Sequence, residues 1–109
     1  MNYKKINPKS NNIKENYHLL ISGVSPRPIA LVGSKDVNNN YNLAPFSFFN
    51  AFGANPPIVG FSPALSGRTG LPKDTLLNIK STEEFTVSIV TSSLVHQTSL
   101  ASCEFDKDI

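Results

Sequence analysis

The sequence has one cysteine, Cys103, and no long apolar run. A single thiol excludes an internal disulfide framework and is typical of a reducing compartment. No apolar segment approaches the roughly 20 residues that a transmembrane helix needs. The basic N-terminus is not followed by an apolar h-region, so no secretory signal is predicted. These absences favour a cytoplasmic location and argue against a membrane partner.

Charge and catalytic motifs are also sparse. The formal net charge is +2, a positive excess too small for a nucleic-acid-binding surface. His18 and His96 lie far apart, and neither has cysteines or acidic residues at metal-ligand spacing, so no zinc site is expected. The sequence has no Gly-x-Ser-x-Gly elbow, no P-loop and no cysteine–histidine nucleophile pair. We therefore name no catalytic side chain.

What is present is the composition of a small globular protein. The residues are 39% hydrophobic and 17% charged, as in globular proteins. The length of 109 residues allows one domain at most. Residues 1–16 differ from the rest because they are rich in lysine and asparagine and have few apolar side chains. We predict that they form a polar arm, mobile or loosely docked, and that residues 17–109 form the folded part.

Short apolar runs bounded by turn residues predict a mainly β structure. The expected strands cover residues 28–34, 41–49, 58–61 and 85–90. The Asn-rich cluster at residues 36–40 predicts a hairpin between the first two strands. Pro45 lies inside the second strand. Since proline cannot donate a ladder hydrogen bond, it indicates a sheet edge or a bulge there.

Two short helices are also predicted. The first runs from Asp74 to about Thr82, with Asp74 as its N-cap. Its spacing places Leu76 and Ile79 toward the core, with Leu77 as a third candidate. The second helix covers residues 93–102.

The start of the first helix has the residue types of an anion site. A helix N-terminus offers unpaired N–H groups and the positive end of the macrodipole. Lys73 adds a charge there, Thr75 adds a hydroxyl, and Arg68 in the preceding loop can bind a phosphate bidentately. The alternative is an ordinary cap at Asp74 with both cations solvated. The local residues alone favour that alternative, because caps far outnumber phosphate sites.

A cluster of aromatic residues follows Pro45. Residues 46–52 hold four of the seven phenylalanines, interleaved with polar side chains. Flat apolar surface and nearby polar donors suit a planar ring, and an interrupted strand leaves N–H groups free to bind the edge of that ring. The candidate contacts are Ser47, Phe48, Phe49 and Asn50. The alternative is that the phenylalanines are core residues and that Ser47 and Asn50 are turn residues.

Four segments, taken in order and spacing, resemble the flavin reductase-like, FMN-binding split-barrel family. They are residues 25–32 (SPRPIALV), 42–50 (NLAPFSFFN), 55–57 (NPP) and 72–79 (PKDTLLNI). The resemblance covers roughly residues 17–106, and four motifs in sequence are far more specific than any one alone. The resemblance reverses the preference for an ordinary cap at Lys73 and Thr75.

The resemblance implies a Greek-key split β-barrel with short helices that holds FMN non-covalently, usually in a homodimer. Residues 17–109 would be the N-terminal part of this domain, with the barrel incomplete, because family members have chains nearly twice as long. Ser47, Phe48, Phe49 and Asn50 would line the flavin ring and ribityl chain. The phosphate would be held or organised by Arg68, Lys73, Asp74 and Thr75.

The resemblance also implies the activity, which is transfer of a hydride from NAD(P)H to bound flavin. The cofactor does this chemistry and the protein supplies orientation and electrostatics, which agrees with the absence of an acid–base pair. Two alternatives stay open. One is a non-enzymatic FMN-binding electron-transfer module, and the other is an inactive truncated remnant.

Overall fold

A computed structural model of the protein describes residues 2–65 and 69–103. The chain forms short helices and strands, which confirms the predicted fold class. In chain order they are α1 Ile13–Gly23, β1 Ala30–Lys35, β2 Tyr41–Phe46, β3 Phe49–Ala54, β4 Pro57–Phe61, α2 Asp74–Thr82, β5 Thr86–Ile89 and α3 Val95–Ala101, the last preceded by a 3-10 turn at Ser92–Leu94. None of the helices in the described ranges is long and apolar enough to cross a membrane.

Three strands form an antiparallel sheet in the order β2–β1–β5. The hairpin between β1 and β2 pairs Lys35 with Tyr41, as the Asn-rich cluster predicted. The Asp36 carboxylate closes the turn by accepting hydrogen bonds from the backbone N–H groups of Asn38 (2.8 Å) and Asn40 (3.0 Å). Asn39 takes the left-handed conformation, φ 63°, which asparagine tolerates better than most residues.

The second predicted strand is in fact two strands in different sheets. Pro45 lies opposite Leu31 within the β1–β2 ladder, and β2 is an edge strand, so the edge prediction is confirmed. The interruption comes later, at residues 47–48, where the chain leaves the first sheet. The Phe48 carbonyl accepts from the Ser62 N–H group (3.0 Å), next to the start of the second sheet.

The second sheet is the antiparallel pair β3–β4, in which Phe49 lies opposite Phe61. Its register shifts between Ala51 and Gly53, which leaves Phe52 at an irregular position. The Phe52 ring covers Gly60, where a Cβ atom would lie only 2.9 Å from the ring. A glycine is therefore required at position 60 for this packing.

Helix α1 starts within the segment that we predicted to be a polar arm. Asn12 caps the helix by accepting from the Glu15 N–H group (2.8 Å), and the Glu15 carboxylate accepts from the Asn12 N–H group (3.1 Å). This reciprocal pair is a capping box, a recognised helix-start signal. The boundary placed after residue 16 thus falls inside a helix, because the Asn-x-x-Glu spacing was overlooked.

The buried core is small. Ala30, Val32 and Phe46 are its buried apolar residues among those described, and Ala44, Phe49, Phe61 and Val87 pack around them. Helix α2 covers the first sheet mainly with polar side chains, since Thr75 and Asn78 are its buried residues. The expectation that Leu77 faces the core is wrong, because its side chain is half exposed.

Candidate functional site

Three of the four residues predicted to hold an anion line one open cleft of about 390 Å³. Lys73, Asp74 and Thr75 form one wall at the start of α2. Pro45 and Phe46 at the end of β2 form the other. The cleft exists because α2 packs across the β1–β2 hairpin and brings its first turn beside the edge strand.

Lys73 is the available cation of this cleft. It is the N-cap residue of α2, where Asp74 had been predicted, and Asp74 is the first residue of the helix instead. The Lys73 ammonium lies 5.4 Å from the centroid of the Phe46 ring, within the range of a cation–π contact. Among the described residues it makes no ion pair with a carboxylate. The Lys73 charge therefore remains free to meet an anion in the cleft.

The first turn of α2 also offers backbone donors. The N-cap residue Lys73 makes no side-chain capping hydrogen bond, and its carbonyl accepts from the N–H groups of Leu76 (3.0 Å) and Leu77 (3.2 Å). The N–H groups of Asp74 and Thr75 come before the first N–H group that donates within the helix, so they have no intrahelical acceptor. Asp74 places a carboxylate in the same turn, which stabilises the helix through its dipole but competes with a bound anion.

Thr75 has a structural role that sequence reasoning did not give it. Its side chain is 1% exposed, and its hydroxyl accepts from the side-chain amide of Asn42 (2.9 Å) on β2. A second buried bond joins Asn78 of α2 to the Ser34 hydroxyl of β1 at 3.2 Å. These two contacts fix α2 to the sheet and so set the position of Lys73.

The residues predicted to contact a ring line a second open cavity, of about 450 Å³. Its lining is more apolar than that of the first cleft. The segment from Ser47 to Asn50 shares it with Arg27 and Pro28, which follow α1. Ser47 and Phe48 stand outside both ladders, so their N–H groups make no ladder hydrogen bonds, although the Phe48 carbonyl accepts from Ser62.

Phe48 and Phe49 also contact other residues of the fold. The Phe48 ring lies 6.1 Å from the Tyr17 ring and 5.7 Å from the Arg27 guanidinium carbon. Phe49 packs against the buried core. Phe49 therefore has the contacts of a core residue, and Ser47, Asn50 and Arg27 are the polar residues that line this cavity.

Arg27 lines this cavity although it was not among the predicted site residues. Its guanidinium donates to the carbonyl oxygens of Ile21 (2.8 Å) and Val24 (2.6 Å), at the C-terminal end of α1. A cation there is also favoured by the helix dipole. Its position between two prolines gave no signal of this role, because the acceptor carbonyls belong to a helix that had not been predicted.

The structure does not bring all the candidate residues into one cavity. Phe46 lines the first cleft, and the next residue along the chain, Ser47, lines the second. Arg68, predicted to bind phosphate, lies outside the described residues. In the ranges 2–65 and 69–103, no group of three His, Cys, Asp or Glu side chains could hold a metal ion.

The donors fit a phosphorylated aromatic ligand better than a metal or an acid–base reaction. The first cleft supplies one free ammonium and helix-start amides, which suit a phosphate. The second supplies apolar surface with a few polar groups, the composition of small-molecule sites.

Solved structures of known proteins share this fold. Nitrilotriacetate monooxygenase component B of Bacillus cereus matches 97% of this chain with a TM-score of 0.87 and 34% identity. A protein of Shewanella frigidimarina with a split-barrel domain matches the whole chain with a TM-score of 0.72 and 28% identity. The matches cover 52% of each of those chains. The fold is therefore that of a split barrel whose sheet is not closed within the described residues.

Sequence relatives agree. An uncharacterized protein of Halalkalibacterium halodurans is 45% identical over 100 residues, which are 90% of this chain and 46% of the relative. The chain thus spans about half the length of the curated relatives that it matches. Residues 22–107 match the family described as the flavin reductase like domain. The chain belongs to the flavin reductase-like family.

Proposed function

We propose that this protein binds FMN and takes part in the transfer of a hydride from NAD(P)H to the bound flavin. The observation that carries the proposal is the free ammonium of Lys73 beside the uncapped start of α2, in a chain of the flavin reductase-like family. A phosphate with close to two negative charges is the group that such a cleft attracts best.

Each candidate residue has a distinct task in this proposal. Lys73 and the first amides of α2 bind the phosphate, and Thr75 holds that turn in place through Asn42. Asp74 stabilises the helix start and organises the turn. Arg68 is proposed as a second phosphate contact on the strength of the family motif.

The ring is proposed to lie along residues 47–50. The chain passes there from one cavity to the other, and the proposal requires that a ligand with its phosphate beside Lys73 extend past Phe46 to Ser47. Ser47 and Asn50 offer polar groups to the ring edge, and Phe48 and Phe49 offer apolar surface. When bound, the flavin supplies the redox chemistry by accepting the hydride.

In this proposal the protein's own contribution is to bind and orient the flavin. The proposal includes flavin and a nicotinamide nucleotide as small-molecule partners. It also includes a homodimer of completed domains and a cytoplasmic location, with no nucleic-acid or membrane partner.

Two measurements on the purified protein test this function. Titration with FMN should quench flavin fluorescence and yield a protein with a flavin absorbance spectrum. Addition of NADH or NADPH without oxygen should then bleach that absorbance. Binding without bleaching would identify the electron-transfer alternative, and failure to bind FMN would identify an inactive remnant.

A further inference from the structure

The segment before α1 lies along that helix, and the two form a third cleft, of about 760 Å³. Asn16 on α1 ties the segment to the helix, because its side-chain amide donates to the Pro8 carbonyl (3.0 Å). The side-chain oxygen of Asn16 accepts in turn from the side-chain amide of Asn11 (3.1 Å). These contacts hold the segment so that the cleft has a defined wall. We call the space between residues 4–11 and α1 the outer cleft.

The outer cleft and the second cavity lie on opposite sides of α1. At about 100° per residue, Leu19 and Ser22 share one side of the helix, and both line the outer cleft. Leu20 and Val24 share the other side and line the second cavity. The outer cleft is therefore separate from the proposed flavin site. The family match begins at Ser22, so nearly all of the outer cleft precedes it and the match assigns this cleft no role.

The charged residues of the outer cleft give it a positive balance. Lys4 and Lys5 both line it, and neither makes an ion pair with a carboxylate among the described residues. Glu15 has the only carboxylate among the described lining residues, and it already accepts a hydrogen bond in the capping box of α1. Two ammonium groups against one engaged carboxylate leave a net positive charge. A cleft of this sign attracts anions.

The uncharged residues of the outer cleft suit the rest of a small organic ligand. Asn7, Ser10 and His18 contribute amide, hydroxyl and imidazole groups. Ile6 and Leu19 contribute apolar surface, and more than two fifths of each side chain is exposed. Small-molecule sites have volumes of about 300–1,000 Å³ and combine apolar surface with a few polar groups. The outer cleft has that size and that composition, with two cations added.

We propose that the outer cleft binds a nucleoside phosphate, with the phosphate bound by Lys4 and Lys5 and the base against Ile6 and Leu19. A terminal phosphate carries about two negative charges at neutral pH, which the two ammonium groups match. The polar side chains of the cleft, including the His18 imidazole, donate to the ribose or to the edge of the base. An acidic peptide would use the two cations but would leave the apolar pair uncovered.

The test is calorimetric titration of the protein with ADP, adenosine, inorganic phosphate and a hexaglutamate peptide at low salt, where screening is weak. ADP should bind about tenfold more tightly than each of the others. In an NMR titration, ADP should shift the backbone amides of residues 4–7 and 18–19. Shifts at residues 73–75 instead would place ADP in the first cleft and overturn the proposal. Absence of ADP binding, or equal affinity for phosphate or the peptide, would also overturn it.

A matched pair of double variants separates the outer cleft from general charge. Lys4→Ala with Lys5→Ala should weaken ADP binding about tenfold, because both phosphate contacts are lost. Lys9→Ala with Lys14→Ala removes the same charge from the same region, but neither residue lines the cleft, so ADP affinity should stay within about twofold. All four lysines are exposed, so both proteins should fold. Equal affinities would contradict the proposal. Because these measurements use no flavin, the result is independent of the proposed function.

Discussion

The side-chain amide of Asn42 on β2 donates to the hydroxyl of Thr75 on α2, 2.9 Å away and 33 residues later in the chain. Thr75 is among the most completely buried side chains described. A buried amide and hydroxyl that pair in this way hold the first turn of α2 against the edge strand. The position of the neighbouring Lys73 depends on this contact.

The Asn42–Thr75 bond should show as a coupling energy between the two positions. We expect Asn42→Ala and Thr75→Val each to lower the free energy of unfolding, because each leaves the other polar group without its partner. The double variant should lose less than the sum of the two, with a coupling of about 1 kcal/mol. Urea unfolding of the four proteins measures it. Strictly additive losses would mean that the bond contributes nothing.

Local sequence patterns predicted helix α2 and the β1–β2 hairpin. The span of α2 follows from apolar spacing and a polar start, and the β1–β2 hairpin follows from the turn chemistry of Asp36 and its asparagines. Both depend on residues that are close in sequence. The capping box of Asn12 and Glu15 is equally local, so α1 was predictable and was overlooked.

The contacts between distant residues that form the site could not be predicted from such local patterns. The bond between Asn42 and Thr75 joins residues whose separation gives no periodic signal. The change of sheet after Phe46 has only a weak local signal, because Ser47 is a turn-favouring residue type but Phe48 favours a strand. The same packing gives Phe46 and Ser47 different cavities, which a prediction based on sequence proximity could not separate.

Gly33 on the central strand should tolerate no side chain. A Cβ atom at this position would lie 2.7 Å from the Thr86 hydroxyl, on the cross-strand partner. We expect Gly33→Ala to lower the free energy of unfolding by about 1–3 kcal/mol through overpacking. Thermal or urea unfolding measures the change.

The Thr86→Ala background provides the control for Gly33→Ala, because it removes the hydroxyl that the new methyl group meets. The cost of Gly33→Ala should be smaller in that background. An unchanged cost would show that the strain does not arise at the Thr86 hydroxyl.

The capping box of α1 should control how often its first turn opens. Asn12→Ala removes the acceptor for the Glu15 N–H group, and loss of such a cap costs about 1 kcal/mol. Hydrogen exchange at the first-turn amides should therefore be faster. Asn2→Ala, in the exposed segment before the helix, is the matched control and should leave exchange unchanged. Equal exchange in the two variants would argue against the cap.

Lys73 should dominate the affinity for FMN. Lys73→Ala removes the free ammonium of the cleft, and a hydrogen bond to a charged group contributes about 1.5–3 kcal/mol, which corresponds to roughly 10- to 100-fold in affinity. Lys80→Ala is the matched control, because Lys80 lies in the last turn of the same helix and does not line the cleft. A fluorescence titration with FMN compares them. Lys73→Arg should bind better than Lys73→Ala, since a charge is retained.

The same titrations at two salt concentrations test the electrostatic cause. If the Lys73 ammonium attracts the phosphate, added salt should weaken FMN binding to the unmodified protein more than to Lys73→Ala, because screening acts only on the charge that is present. Riboflavin, which has the ring and no phosphate, should bind both proteins with similar affinity. Equal loss of riboflavin and FMN binding in Lys73→Ala would instead place Lys73 beside the ring, and the assignment of the phosphate to the start of α2 would then be wrong.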